Sequence, residues 1–151
     1  MPAPFSPESL AAATTVYRAE RRVARFQDVD AATTVYFPRF FEYASDLYIS
    51  HLTAFGIPMR AVLEARTLAI PLRHVEADYR YPLFFEDPFV VELVAMEVGT
   101  TSFSLGFRMR SEDGQRIHAL VQTVHVCIDP KTVRPVPVPD EVRRAFTPPT
   151  A

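Results

Sequence analysis

Cysteine is almost absent: the chain of 151 residues contains only one, Cys127. A single cysteine excludes an internal disulfide framework and any zinc cluster built on cysteines alone, and it suits a reducing compartment. The four histidines show neither the His-Glu-x-x-His pattern nor another spacing typical of metal ligands. We therefore expect no metal ion, no redox cofactor and a cytoplasmic location.

Long apolar runs and basic clusters are missing as well. No stretch reaches the roughly 18 consecutive apolar residues of a membrane-spanning helix, because charged residues recur throughout. Lysine and arginine are scattered and the formal net charge is −2, so no basic surface for nucleic acid is expected. The G-x-S-x-G motif of serine hydrolases and the phosphate-binding P-loop are also absent. The sequence predicts a soluble protein with neither membrane nor nucleic acid as a partner.

Apolar residues make up 48% of the chain, and this length is enough for one core of useful size. Residues 1–15 carry three prolines and only a short apolar run, so we predict a flexible N-terminal tail. Residues 16–146 are predicted to form a single domain, and residues 147–151 a C-terminal tail. Prolines recur from Pro130 onward, and that segment cannot continue a central strand.

One long helix is predicted over residues 37–55. Pro38 suits the first turn of a helix, and Gly56 followed by Pro58 is a stop signal. Residues 58–66 are predicted to add a short second helical piece. Apolar residues of the long helix recur every three or four positions, which is the period of one helical face: Phe37, Phe40, Phe41, Ala44, Leu47, Tyr48, Leu52 and Phe55.

Strands are predicted on both sides of this helix. Residues 74–81 and 102–110 alternate apolar and polar side chains, as a strand with one buried face does. Residues 89–98 and 116–128 are rich in β-prone side chains, and residues 17–26 form a weaker candidate before the helix. A sheet must bury its apolar face on something, and the long helix is the only long partner, so we expect an α+β fold.

A motif stands where the first strand gives way to the helix. Asp28 and Asp30 alternate with Val29, a short turn follows, and Tyr36-Phe37-Pro38 leads into the helix. This arrangement resembles the start of the 4-hydroxybenzoyl-CoA thioesterase family of hotdog enzymes, and the likeness extends over residues 18–129. The resemblance implies a hotdog fold, in which a five-stranded antiparallel sheet wraps around one long central helix. The second matching segment is Tyr79-Arg80-Tyr81-Pro82-Leu83, followed by Asp87.

The resemblance also implies the chemistry. Asp30 matches the family's catalytic carboxylate, and the backbone N–H of Phe37 matches the amide that polarises the thioester carbonyl. Physical chemistry agrees, because the first N–H groups of a helix lack partners and lie at the positive end of its dipole. The carboxylate can activate a water as general base or attack directly to give a mixed anhydride, and both routes remain open.

Other residues of the motif receive different interpretations. Asp28 is interpreted as structural support that binds backbone amides of the turn. Glu42, about one turn into the helix, is an alternative catalytic acid, although an exposed helical glutamate is the more common case. Tyr36, Phe40 and Phe41 are candidates for substrate binding as well as for the core.

Two departures from the family pattern stand out. The family commonly has a glycine in the turn after the second aspartate, where this chain has Ala31-Ala32-Thr33-Thr34. A β-branched residue resists the backbone conformations that glycine permits. The basic cluster that binds the nucleotide phosphates in the family is absent at residues 98–102. Coenzyme A must therefore be held elsewhere, or an acyl carrier protein is the thiol carrier.

The leading prediction is an acyl-CoA thioesterase, with coenzyme A entering only as part of the substrate. The alternatives are a non-catalytic acyl-thioester binding protein and a hotdog enoyl-CoA hydratase. A hydratase needs a catalytic histidine, and none lies near Asp30 in the sequence. Sheet edges leave backbone groups unpaired, and the resemblance implies that two such sheets join edge to edge, so we also expect a homodimer or homotetramer with its sites at the subunit interface.

Overall fold

The computed structural model of the protein describes residues 3–150. Within these residues no helix is both long and apolar enough to cross a membrane. In chain order the elements are α1 (Pro7–Ala12), β1 (Arg18–Val23), a 3-10 turn (Phe26–Asp28), α2 (Arg39–Ala54), α3 (Met59–Ala65), β2 (Leu72–Tyr79), β3 (Pro88–Val98), β4 (Ser102–Ser111), β5 (Ile117–Val126) and α4 (Asp140–Phe146).

The five strands form one sheet in the order β1-β3-β4-β5-β2, and every neighbouring pair is antiparallel. β3, β4 and β5 follow one another along the chain as a meander, as predicted. β1 and β2 form the two edges. The predicted α+β arrangement of five strands and one long helix is confirmed, with strand ends that differ from the predictions by a few residues.

α2 packs along the inner face of this sheet and forms the core with it. The helix has 16 residues and ends before Gly56, whose φ of +76° is a conformation that glycine adopts without strain. Leu47 and Leu52 are completely buried, and each contributes about 1.5–3 kcal/mol by leaving water. The buried face of the helix consists of Phe40, Tyr43, Ala44, Leu47, Tyr48, His51 and Leu52.

The C-terminal segment contributes a helix that the proline-rich sequence does not suggest. α4 buries Val142, Ala145 and Phe146 in the main core. The ring Nε2 of His51 donates a hydrogen bond to the carbonyl oxygen of Ala145 at 2.6 Å, which ties α4 to α2. Burial lowers the pKa of His51, so the ring is neutral and makes this bond as an uncharged donor. Residues 147–150, in the predicted C-terminal tail, form no helix or strand.

The N-terminal segment differs from the flexible tail that the sequence predicts. α1 lies on the outer face of the sheet, opposite α2, and buries Leu10. Ser6 caps the helix by accepting a hydrogen bond from the Ser9 N–H. The guanidinium of Arg108 donates to the carbonyl oxygen of Ala11 at 2.9 Å. With only six residues, α1 is too short for its apolar period to stand out in the sequence.

Gly106 in β4 allows α1 to approach the sheet closely. A Cβ at this position would lie 2.9 Å from the Cβ of Ala95 and would overlap a methyl group of Leu10. The strand therefore needs glycine here for packing, since Gly106 is buried and its backbone is ordinary β-strand.

We expect Gly106→Ala to destabilise the protein by about 1–3 kcal/mol, the usual cost of overpacking. Urea denaturation of the variant measures this loss. The matched double variant Gly106→Ala/Leu10→Ala removes the methyl groups that the new Cβ would meet. Its loss should therefore be smaller than the sum of the two single losses. Strict additivity would mean that α1 does not dock over Gly106.

Candidate active site

The start of α2 presents an unpaired backbone N–H. The Tyr36 N–H donates to the carbonyl oxygen of Asp28 at 2.8 Å, and the Arg39 N–H donates to that of Tyr36 at 2.9 Å. Between them, the Phe37 N–H donates no hydrogen bond within residues 3–150. The hydroxyl of Tyr79 donates to the Phe37 carbonyl oxygen at 3.1 Å and holds this residue against β2. A donor is thus available where the helix dipole is positive.

Asp30 lies at the start of a tight turn seven residues earlier. Its N–H donates to the Thr34 carbonyl oxygen at 3.1 Å, and the Thr33 N–H donates back to the Asp30 carbonyl oxygen at 2.9 Å. One carboxylate oxygen, Oδ1, accepts the Ala32 N–H at 2.8 Å. The side chain is exposed, and its Oδ2 has no hydrogen-bond partner among the described residues.

The turn does require a left-handed residue, and Thr33 occupies that position with a φ of +67°. This conformation costs a β-branched residue about 1–3 kcal/mol. The family's glycine would adopt it without strain. The chain thus keeps a left-handed turn without the glycine, and the bonds of Asp30 to its neighbours hold the strained residue in place.

Asp28 is fully buried directly behind this turn. Its Oδ2 accepts both the backbone N–H and the Nε–H of Arg25 at 3.1 Å, and its Oδ1 accepts the Arg25 Nη2 at 3.1 Å. Burial alone would raise the pKa of Asp28, but the hydrogen bonds from Arg25 outweigh it and hold this pKa below its usual range. Asp28 is therefore a buried anion whose hydrogen bonds to Arg25 fix the chain between β1 and the turn.

A cleft of about 320 Å³ opens beside the start of α2. One wall is aromatic: the Tyr79 ring stands edge-on to those of Phe37 and Phe40, with centroids 6.3 and 5.4 Å away. Asp30 is not part of the lining, although its turn partner Thr34 is. The lining consists of Thr34, Val35, Phe37, Phe40, Tyr79, Arg80, Tyr81, Pro82, Leu83 and His118.

A second cleft of about 290 Å³ continues from the first and shares Tyr81, Pro82 and His118 with it. The guanidinium of Arg116 lies 4.3 Å from the centre of the Tyr81 ring in this second cleft. The two clefts together form a surface groove that extends from Phe37 in the first cleft to Arg116 in the second.

The sequence gives no signal that His118 lies near the motif that contains Asp30. His118 is a buried histidine, 4% exposed, with its Nδ1 3.1 Å from the Tyr81 carbonyl oxygen, and it also lines both clefts. The pairing of β2 with β5 brings it there, since the Arg80 N–H donates to the His118 carbonyl oxygen. No local pattern connects residue 118 with the turn at residue 30.

The remaining predicted residues divide between the clefts and the surface. Phe40 is buried in the wall of the first cleft, and Phe41 is half-buried and lines a separate cavity. Tyr36 is exposed beside Phe37, with ring centroids 5.1 Å apart. Glu42 is exposed and forms an ion pair of 2.7 Å with Arg39, as an ordinary surface glutamate does.

The family model of the thioesterase-like superfamily matches residues 24–146, most of the chain. The chain belongs to this superfamily. This match confirms the hotdog fold, and the thioester hydrolases among the relatives confirm the prediction that this protein is a thioester hydrolase. Membership in the narrower 4-hydroxybenzoyl-CoA thioesterase family stays a prediction. α1 lies before the matched residues.

Individual relatives are consistent with this assignment. The 1,4-dihydroxy-2-naphthoyl-CoA hydrolase of Trichodesmium erythraeum is 34% identical over 82% of this chain and 91% of its own length. The enzyme of the same name from Synechococcus elongatus is 32% identical over 82% and 90%. The crystal structure of a 1,4-dihydroxy-2-naphthoyl-CoA thioesterase from Synechocystis superposes with a TM-score of 0.80, covering 85% of this chain and 93% of that one at 24% identity.

Among the described residues, no group of three or more His, Cys, Asp or Glu side chains could hold a metal ion. The expectation that the reaction needs neither a metal nor another cofactor stays a prediction.

We expect Asp28→Asn to lower the free energy of unfolding by about 2 kcal/mol at pH 7, because a buried charge-assisted hydrogen-bond set is lost. The folded-state pKa of Asp28 lies below its unfolded value, near 4. The contribution of the carboxylate is therefore present above about pH 4 and disappears as the pH falls through the lower folded pKa.

Urea denaturation of both proteins between pH 7 and pH 3 measures this difference, which should shrink at the acidic end. Asp46→Asn is the matched control, since Asp46 forms an exposed ion pair of 2.8 Å with Arg22 and should change stability little. Equal losses in the two variants would contradict the structural role of Asp28.

Proposed function

We propose that the protein hydrolyses an acyl-CoA thioester, with Asp30 as the acting carboxylate and the Phe37 N–H as the donor to the carbonyl oxygen. The observation that carries this proposal is the unpaired N–H of Phe37 at the start of α2, on a residue that lines a cleft with an aromatic wall. Oxygen atoms that gain negative charge in a transition state are stabilised by such fixed donors.

Asp30 would supply the second half of the chemistry. Either it takes a proton from a water that attacks the carbonyl carbon, or its free Oδ2 attacks and the resulting anhydride is then hydrolysed. In both routes the C–S bond breaks and coenzyme A leaves as a thiolate that takes up a proton. The turn bonds made by the Asp30 backbone and Oδ1 would keep the other oxygen oriented.

The acyl group that we propose is aromatic and carries hydroxyl groups. Two 1,4-dihydroxy-2-naphthoyl-CoA hydrolases cover most of this chain at 34% and 32% identity, and the rings of Phe37, Phe40 and Tyr79 would pack against a planar acyl group. Coenzyme A is the proposed thiol carrier, with the groove toward Arg116 as its path. An acyl carrier protein is the alternative, and steady-state assays with matched acyl-CoA and acyl-carrier substrates separate the two.

A hotdog enoyl-CoA hydratase is the second candidate, because the structure brings His118 into the wall of the first cleft. Hydration would require this ring to exchange a proton with the substrate. A non-catalytic binding protein is the third. Loss of the enoyl absorbance of an added enoyl-CoA without release of free thiol would indicate hydration, and tight binding without either change would indicate a binding protein.

We further propose that the protein forms a dimer through β2. This strand pairs with β5 on one side, and its other edge has no strand partner within residues 3–150. The first cleft lies beside it, since Tyr79 and Arg80 line that cleft. A partner strand along β2 would satisfy the exposed backbone groups and would bring a second chain next to the site.

We expect Asp30→Asn to lower kcat by at least about 100-fold, since the amide can neither deprotonate water nor attack a thioester. KM and the melting temperature should change little, because Asn keeps the acceptor for the Ala32 N–H. Steady-state assays of free thiol release measure kcat and KM. Glu42→Gln is the matched control and should retain near wild-type turnover. Loss of turnover in Glu42→Gln, with near wild-type turnover in Asp30→Asn, would instead indicate that the catalytic acid lies on the helix.

We expect Leu72→Lys to weaken the dimer, because Leu72 is 52% exposed at the start of β2 and the substitution places a charge at the proposed interface. Light scattering at micromolar concentration, in parallel with activity, measures the effect. Leu63→Lys on α3 is the matched control, since Leu63 is 64% exposed on a helix that packs against α2 and is not part of the edge strand β2. A fully active wild-type monomer would contradict the proposed dimer.

A further inference from the structure

Arg39 stands at the first position of α2, where a positive charge is unfavourable. The unpaired N–H groups of a first helical turn make that end of the helix partly positive, so acidic side chains stabilise it and basic ones do not. Water screens the charge only in part, because the Arg39 side chain is 32% exposed. Natural proteins depart from such local rules mainly at functional sites, so the contacts of this side chain are informative.

The Arg39 guanidinium binds the chain that precedes the turn of Asp30. Its Nη2 donates to the carbonyl oxygen of Gln27 at 3.0 Å, across twelve residues of sequence. Its Nε lies 3.9 Å from Oδ1 of the buried Asp28 carboxylate, and its Nη1 donates to the exposed carboxylate of Glu42 at 2.7 Å. One side chain thus joins the start of α2 to the 3-10 turn that follows β1.

Residues 29–35 form a small hairpin, which we call the Asp30 hairpin. Its two end residues are bridge partners, and the Tyr36 N–H closes its base on the Asp28 carbonyl oxygen at 2.8 Å. Arg39 acts just outside this closing bond, on the chain that enters the hairpin. Within residues 3–150 it forms no hydrogen bond with Asp30, and it is not among the residues that line the first cleft.

The separation of the two proposed catalytic groups depends on this contact. Asp30 lies inside the Asp30 hairpin, and Phe37 lies just after it at the start of α2. In the proposed reaction the carboxylate and the N–H must reach one thioester carbonyl from two sides. A displacement of about 1 Å in such an arrangement can lower a rate by about 100-fold. Because Arg39 joins the chain before the hairpin directly to the helix after it, the contact restricts this displacement.

We propose that Arg39 is a positioning residue of the active site: it holds the Asp30 hairpin on α2, so that the Asp30 carboxylate and the Phe37 N–H meet the same thioester carbonyl. This inference rests on the proposed thioesterase function. It gives Arg39 no contact with the substrate and no part in proton transfer.

Arg39→Met is the first test, because methionine keeps an unbranched stem and removes every donor. We expect kcat to fall by about tenfold, while KM changes by less than about threefold because residue 39 does not line the cleft. The melting temperature should change by less than about 4 °C, since loss of the hydrogen bonds is offset by removal of a positive charge from the helix start. Steady-state and single-turnover hydrolysis of benzoyl-CoA and 4-hydroxybenzoyl-CoA measure the rates.

Two further variants separate positioning from a general loss of structure. Arg39→Lys should recover kcat to within about threefold of wild type, because lysine can reach the Gln27 carbonyl oxygen but lacks the planar fork for several acceptors. Arg22→Met is the matched control. Arg22 is 26% exposed and also joins the chain before the hairpin to α2, through an ion pair of 2.8 Å with Asp46, but it lies on β1. Its kcat should stay within about twofold of wild type.

Hydrogen exchange followed by NMR reports the position of the hairpin without any substrate. The Asp30 N–H is bonded to the Thr34 carbonyl oxygen and the Tyr36 N–H to that of Asp28. Both should exchange at least about fivefold faster in Arg39→Met and at the wild-type rate in Arg22→Met, because local opening of the hairpin exposes them. Turnover of Arg39→Met within about twofold of wild type, or lost turnover with unchanged exchange, would overturn the positioning role.

The same measurement distinguishes failure of this inference from failure of the proposed function. If wild type hydrolyses neither thioester, the thioesterase proposal fails. The hold of Arg39 on the Asp30 hairpin is then judged by exchange alone. Faster exchange of the two amides in Arg39→Met would support it, and unchanged exchange would overturn it.

Discussion

The buried carboxylate of Asp28 holds the segment on which both proposed catalytic groups lie. Its side chain binds Arg25 just after β1, and its carbonyl oxygen accepts the Tyr36 N–H just before α2. The chain between these points must therefore turn back on itself, which places Asp30 in the turn and leaves Phe37 at the start of the helix. A carboxylate without solvent contact is stable here because Arg25 supplies three hydrogen bonds to it. The strained φ of Thr33 is tolerated in the same framework.

The packing of α2 against the sheet orients this framework. Because the apolar face of the helix is buried along its length, the first turn cannot shift without opening the core. Tyr79 extends the constraint to β2, since its hydroxyl binds the Phe37 carbonyl oxygen. The same strand is a free edge of the sheet, so the element that supports the site is also the one available to a partner chain. The proposed site and the proposed interface are therefore adjacent, because both involve β2.

The two faces of the sheet are covered by different helices. The inner face carries α2, and the first cleft opens at the start of that helix. The outer face is covered by α1, which docks over Gly106 and is held by Arg108. Arg108 and Arg110 also bind both oxygens of Glu92, which is 3% exposed, so the outer face has a satisfied ionic group beside its small apolar cluster. Helix α1 itself lies outside the residues that the superfamily model matches.

Local patterns in the sequence predict the helix and the strands, and its resemblance to a known family predicts the hotdog fold and the reaction class. The helical period of residues 37–55, the alternation in the strands and the Asp28-x-Asp30 motif are local patterns, and each depends on side chains that are close along the chain. α1 was missed because six residues carry too little periodicity, and α4 because prolines before it suggest a loop. Tertiary structure alone brought His118 into the cleft wall and stacked Tyr48 on His125. These features arise from strand pairing and helix packing between segments that are far apart in the chain, and no pattern within one segment records which distant residues will meet.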